Sequence, residues 1–175
     1  MKSLEVTIKG ISPMLMHRYP EQPIDGFDKM TPAEQAQHAE YRTPNDQLYV
    51  PSIAMQRALV DAAAYSKGKG RASLLKVAAA AIYVSPIYLI LKPQTYVVDS
   101  RPVVVPATRG RIMRHRPRLD EWEVTFHLEY DETLLSEVQV RKIVDDCGSR
   151  VGLLDFRPAR KGPFGRFMVT QWNRD

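Results

Sequence analysis

The order of hydrophobic periods constrains this chain most. A strand-type alternation, a helix-type stripe and a further strand occur in that order twice. Lys2–Lys9 alternates, with Leu4, Val6 and Ile8 on one side and Glu5, Thr7 and Lys9 on the other. Leu48–Pro51 is a short apolar strand, and Ser52 opens a helix to about Ser66, in which Met55, Leu59, Ala62 and Ala63 form a buried stripe. Ile82–Val84 and Ile87–Leu91 read as strand, broken near Pro86. The second set starts at Trp122–Tyr130, a strand read as carrying aliphatic and aromatic residues on both faces. Leu134–Cys147 is the clearest helix, with Val140, Ile143, Val144 and Cys147 inward and Gly148 placed to stop it. Arg166–Thr170 alternates again. Strand-helix-strand repeated in this way predicts an α+β chain with a ferredoxin-like, RRM-like sheet. At 175 residues a single domain, 1–175, is expected.

What does not fit the repeat reads as insertion. Residues 19–47 are punctuated by Pro20, Pro23, Pro32 and Pro44, with a short helix expected from about Pro32 to Tyr41 behind the Thr31 cap; this insertion is expected to be mobile when free. Lys67-Gly68-Lys69-Gly70-Arg71 is a basic glycine loop, followed by a helix over Ala72–Ala81. Part of 92–120 is a second insertion, a basic β-ribbon, with strands at Thr95–Val98 and Val103–Val105. Arg101, Arg109, Arg111, Arg114, His115, Arg116 and Arg118 accumulate there with no acidic residue between Arg101 and Leu119. Dense arginine of this kind suits sequence-independent phosphate binding, the competing reading being a solvated hairpin.

The C-terminal stretch Val151–Val169 combines Gly152, Gly162 and Gly165 with Arg157, Arg160, Lys161 and Arg166 and with Phe156, Phe164 and Phe167. Glycine lets backbone approach a ligand closely, arginine forks onto phosphate, and aromatic faces stack on bases. The stretch therefore has the parts of a single-strand-binding loop. Read without a ligand, it is a Gly/Pro hairpin with a basic rim. Phe167 alternates within the last strand and is expected in the core.

The formal net charge of +5 is compatible with nucleic acid or an anionic surface. The one cysteine, Cys147, forbids an internal disulfide and is expected to be a buried structural thiol. No apolar run approaches the ~18–20 residues of a membrane span, and the N-terminus lacks the layout of a secretory signal. A soluble chain of a reducing compartment, the cytoplasm, is expected. Phosphate-loop and nucleophile-elbow patterns do not occur, no histidine pair has metal-ligand spacing, and Asp145-Asp146 points in two directions on a helix. No cofactor and no metal are expected.

Three stretches resemble the RAMP superfamily, the repeat-associated mysterious proteins that build CRISPR effector complexes. Leu4–His17 is similar to that family's opening strand and exit. Leu48–Leu59 resembles its strand, I-P-x-S turn and helix. Gly152-Leu153-Leu154-Asp155-Phe156-Arg157 with Gly162-Pro163-Phe164-Gly165-Arg166-Phe167 is similar to its C-terminal glycine-rich signature. The resemblance implies a modified RNA-recognition-motif fold that binds single-stranded RNA and assembles as a homo-oligomer along it. Small phage and prophage proteins share the pattern.

The expected activity is binding, with no catalytic residue assigned. The expected contacts are His17, Arg18, Arg57, Lys67, Lys69, Arg71, Arg109, Arg111, Arg114, Arg116, Phe156, Arg157, Arg160, Lys161, Phe164, Gly165 and Arg166. One alternative is a guide-RNA-processing endoribonuclease using His17 or His38, since the resemblance includes histidine-dependent nucleases; His115 and His127 are the other histidines. The remaining alternatives are a phage-type single-stranded DNA-binding protein and an interaction module without a nucleic-acid ligand.

Overall fold

The computed structural model describes all of residues 1–175 and is mixed α+β with antiparallel sheets. The strands are β1 (Lys2–Gly10), β2 (Met14–Leu15), β3 (Tyr49–Pro51), β4 (Ile82–Ser85), β5 (Tyr88–Lys92), β6 (Val97–Val104), β7 (Arg111–Leu119), β8 (Glu123–Tyr130) and β9 (Phe167–Arg174). The helices are α1 (Pro32–His38), α2 (Ser52–Ala62), α3 (Leu75–Ala81) and α4 (Glu137–Asp146). The main sheet has the order β3-β5-β8-β1-β9, with β4 also paired to β8. A second sheet runs β2-β7-β6. No helix is long and apolar enough to cross a membrane.

The core lies between the main sheet and α2 and α4. Leu4, Val6 and Ile8 of β1 join Val124, Phe126, Leu128 and Tyr130 of β8, and they pack with Met55 and Leu59 of α2 and Val140, Ile143 and Val144 of α4. Full burial of each such side chain contributes roughly 1.5–3 kcal/mol. Burial in β8 alternates strictly. Its apolar residues therefore share one face, not both as the sequence reading had it, and Glu123, Thr125, His127 and Glu129 occupy the other. Thr7 and Thr125 bridge the two central strands on that outer face at 2.9 Å. In its two central strands the outer face carries Glu5, Glu123 and Glu129 and no aromatic ring but His127, while Tyr83 of β4 stands exposed opposite Glu129.

Local chemistry explains some helix ends. Thr31 and Glu34 form a capping box on α1, and Ser136 and Gln139 form one on α4. The expected cap at Ser52 is instead the first helical residue behind Pro51. Gly148 does not stop α4. The chain passes through a π-type turn over Cys147–Val151 and breaks at Gly152, where φ is 72°. Gly148 is needed for space, because a Cβ there would lie 2.2 Å from the Phe167 carbonyl oxygen of β9. Cys147 is buried as expected, and burial pushes its thiol pKa up. The two short strands expected around Arg101 are one strand, β6, and the arginine run is itself a strand, β7, paired with it from Val97↔Arg118 to Val104↔Arg111.

Candidate nucleic-acid interface

The exit of β1, Ile11–Arg18, is the strip on which the site is built. Its backbone is held from several distant parts of the chain. Trp122 Nε1 donates to the Ser12 carbonyl at 2.9 Å. The Ile11 N–H donates to Arg166 O at 2.8 Å, Gly165 N–H to Pro13 O at 2.7 Å, and Asp155 N–H to Leu15 O at 3.1 Å. Met16 N–H donates to Pro117 O at 2.9 Å, and Arg18 N–H donates to Ala39 O at 2.8 Å. His17 and Arg18 therefore emerge where the glycine-rich loop, the ribbon and the insertion helix meet.

Two clefts flank this strip and share His17. One, of about 400 Å³, runs along α2 and is lined by Arg57 and Asp61, by Tyr41, and by Asp155, Arg157 and Arg160 of the glycine-rich loop. The other, of about 270 Å³, lies between the insertion and β7, among Arg18, Phe27, His38, Arg114, His115 and Arg116. Residues expected at the site from widely separated positions, His17, Arg18, Arg57, Arg114, Arg157 and Arg160, thus line two clefts that share His17.

Burial removes two expected contacts from the free surface. Arg116 is 5% exposed and forms an ion pair with Asp155. Phe164 is 7% exposed, and the Arg101 guanidinium covers its ring at 4.8 Å. Neither offers a ligand an open face. Phe156 is 37% exposed and leans on Phe164 with ring centres 5.9 Å apart. Gly165 has φ 76°, and a Cβ there would lie 2.1 Å from Leu153 O. The close approach this glycine permits is therefore to the loop's own backbone, and the expected room for a ligand is already filled.

The other expected residues lie outside both clefts. Arg109, with φ 55°, and Arg111 are at the exposed tip of the β6–β7 ribbon. Lys161 ends the short 3₁₀ turn Pro158–Arg160, and Arg166 precedes β9; both are exposed. Lys67, Lys69 and Arg71 are exposed in a loop beyond α2, closed by a Lys67↔Ser73 bridge. Among the histidines, His17, His38 and His115 line the second cleft. His127 is on the outer sheet face, 3.3 Å from Asp175.

The acid-free run does not stay acid-free in three dimensions. Asp99, on β6, binds Arg101 at 2.6 Å and Arg118 at 3.2 Å; Asp120 binds Arg118 at 2.7 Å. The hydrogen bond from Arg101, working against burial, holds the Asp99 carboxyl below its ordinary range. Asp155 serves Arg116 and lies 3.6 Å from His17 Nδ1. Burial opposes its ionisation, but His17 and Arg116 outweigh burial and keep its pKa low. Arg114 rests 6.0 Å from the Phe27 ring centre and has no carboxylate partner. Tyr41, Asp61 and Asp155 are site residues that the sequence reading did not choose. Asp155 had a signal: it is the only acidic residue in the basic stretch Val151–Val169.

No protein-family model matches the chain, and no curated protein matches it. Among solved structures, the chain is similar to a chain in a structure described as "Cryo-EM structure of the Type III-B Cmr-beta bound to cognate target RNA", with a TM-score of 0.60 and 11% identity. That likeness covers 99% of this chain and 60% of the other, so the protein spans about three fifths of its neighbour's length. At this identity the likeness is one of fold.

Proposed function

We propose that the protein binds single-stranded nucleic acid, RNA in the first instance, along the groove formed by the two clefts joined at His17. The observation that carries this reading is the meeting of Arg57 from α2, Arg157 and Arg160 from the glycine-rich loop, Arg18 from the β1 exit and Arg114 from β7 around that groove. Arginines without a carboxylate partner are the groups that displace counterions from a phosphate backbone. Lys67, Lys69, Arg71, Arg109, Arg111, Lys161 and Arg166 would meet a longer strand as it leaves the groove, and Phe156, outside the clefts, and Tyr19, lining the second, are exposed rings for stacking.

In this reading the fold is a ferredoxin-like, RRM-like variant of RAMP type. The order β9-β1-β8-β4, with α2 and α4 as the connecting helices, supports it. The target RNA in the neighbour's description favours RNA over DNA. The strand runs over loops at the sheet's end, since the outer face carries Glu5, Glu123 and Glu129 in its central strands. Copies of the chain assemble along a long strand.

The test is fluorescence anisotropy of one sequence as RNA and as DNA, across a salt series. Replacing Arg18, Arg114 and Arg160 together with alanine is expected to lower the salt slope by about 2, from a single-strand slope of about 0.7 per phosphate contact. Salt-insensitive binding, or a triple variant that binds unchanged, overturns the reading. Tighter binding of the DNA would favour the phage-type alternative.

A second reading, an endoribonuclease, is favoured by one observation. His17 and His38 line the same cleft, and RNA transesterification needs an acid and a base near one 2′-OH. It predicts cleavage of structured RNA in chelator, with loss in His17→Ala and His38→Ala. Intact RNA, or cleavage unaffected by both changes, removes it.

A further inference from the structure

The larger cleft holds a feature that phosphate binding does not use. Arg57 and Asp61 are four residues apart on α2 and both line the cleft, yet they form no ion pair. Arg141 and Asp145, at the same spacing on α4, do pair, at 3.2 Å. Arg157 donates through Nη1 to Leu154 O at 2.9 Å and has no carboxylate partner. Asp155, the other carboxylate here, is engaged by Arg116 and His17. The cleft therefore presents free guanidinium donors and one free carboxylate, with Ala54, Ala58, Gly152 and Leu154 as apolar walls. Its volume of about 400 Å³ is in the range of small-ligand sites.

A carboxylate repels a phosphodiester, so a pure phosphate track would be better without Asp61. Donors and an acceptor facing one space match a nucleobase edge. Guanine fits this set best. Its O6 and N7 are adjacent acceptors for an arginine fork. Its N1–H and N2–H₂ are adjacent donors, which a carboxylate accepts together. Adenine and cytosine present one amino donor beside ring acceptors, and uracil a single N–H between carbonyls. We propose that this cleft is a guanine subsite, with Arg57 and Arg157 on the acceptor edge, Asp61 on the donor edge and Leu154 against the ring. The inference rests on the single-strand-binding reading and adds base selectivity to it.

The experiment measures Kd for short uridine-rich RNAs carrying one isolated guanosine, adenosine, inosine or 7-deazaguanosine at the same position. The guanosine strand is expected to bind roughly 5- to 100-fold tighter than the adenosine strand, from the discrimination of one good bidentate pair. Inosine, which lacks the N2 amino group, and 7-deazaguanosine, which lacks N7, should each lose part of that preference. Asp61→Ala separates the two uses of the cleft. For a guanine subsite it weakens the guanosine strand while strengthening the adenosine strand, because repulsion of phosphate is relieved. Arg57→Lys, which keeps the charge and loses the fork, should reduce the guanosine preference. Equal binding of guanosine and adenosine strands, or an Asp61→Ala variant that strengthens every strand alike, overturns the guanine subsite and leaves the single-strand reading standing. Failure to bind any of the strands overturns both.

Discussion

Arg116 and Asp155, 39 residues apart in sequence, form an ion pair that ties the arginine-rich ribbon to the glycine-rich loop. The same carboxylate lies 3.6 Å from His17, so one acidic side chain joins three segments of the proposed groove. Its role is to fix geometry, and it makes Arg116 structural while Arg114, two residues away, keeps no carboxylate partner.

Asp155→Ala is expected to destabilise the protein by about 2–3 kcal/mol. It strands a buried guanidinium, and the partial exposure of Asp155 screens some of the loss. Thermal melting checks this. Arg116→Met combined with Asp155→Ala should recover part of the melting temperature, because no charge is then left buried alone.

Charge reversal at Arg111 and Arg114 should weaken single-strand binding and flatten its salt slope with little change in melting temperature. Arg111 is exposed and Arg114 has no carboxylate partner. Charge reversal at Arg116 should instead lower the melting temperature strongly, because it would set two carboxylates against each other in a buried place. Anisotropy and melting on the same samples distinguish the two classes.

Gly165→Val is expected to cost roughly 3 kcal/mol or more. It meets an unfavourable φ and a carbonyl oxygen 2.1 Å from the new Cβ. Gly70→Ala, at φ 72° but with nothing within 4 Å, should cost only about 1 kcal/mol. Urea denaturation of both variants tests whether space or backbone angle dominates.

Stability should fall in acid. Asp99, through Arg101, and Asp155, through His17 and Arg116 against burial, have folded-state pKa values below the ordinary 3.8. A carboxylate lowered on folding contributes stability that is fully present above its unfolded pKa and lost as pH falls through the folded one. The melting temperature should therefore hold at neutral pH and drop from about pH 4 downward. Asp99→Asn should shrink that drop and lower the plateau above it.

Much of the architecture was legible because periodicity reports burial locally. The alternation of Leu4, Val6 and Ile8 marks the core side of β1, and the spacing of Val140, Ile143, Val144 and Cys147 marks the inner side of α4; all seven lie in the core. The misreadings came where a distant segment decided. Gly148 looks like a helix stop, yet it is required by β9 passing over it. Phe164 looks like a stacking ring, yet Arg101 from the ribbon covers it. Arg116 looks like its neighbours in an acid-free run, yet its partner comes from the glycine-rich loop 39 residues further along the chain.

The sequence by itself determined the order of the main strands and helices, the inward faces of β1, α2 and α4 and the sign of the charge, since each follows from residues a few positions apart. Only the tertiary structure decided which of those charges stay available to a ligand. Neutralisation depends on distances of a few ångströms between groups far apart in the chain, as when Asp99 and Asp155 close on Arg101, Arg118 and Arg116 and leave Arg57, Arg114 and Asp61 unpaired.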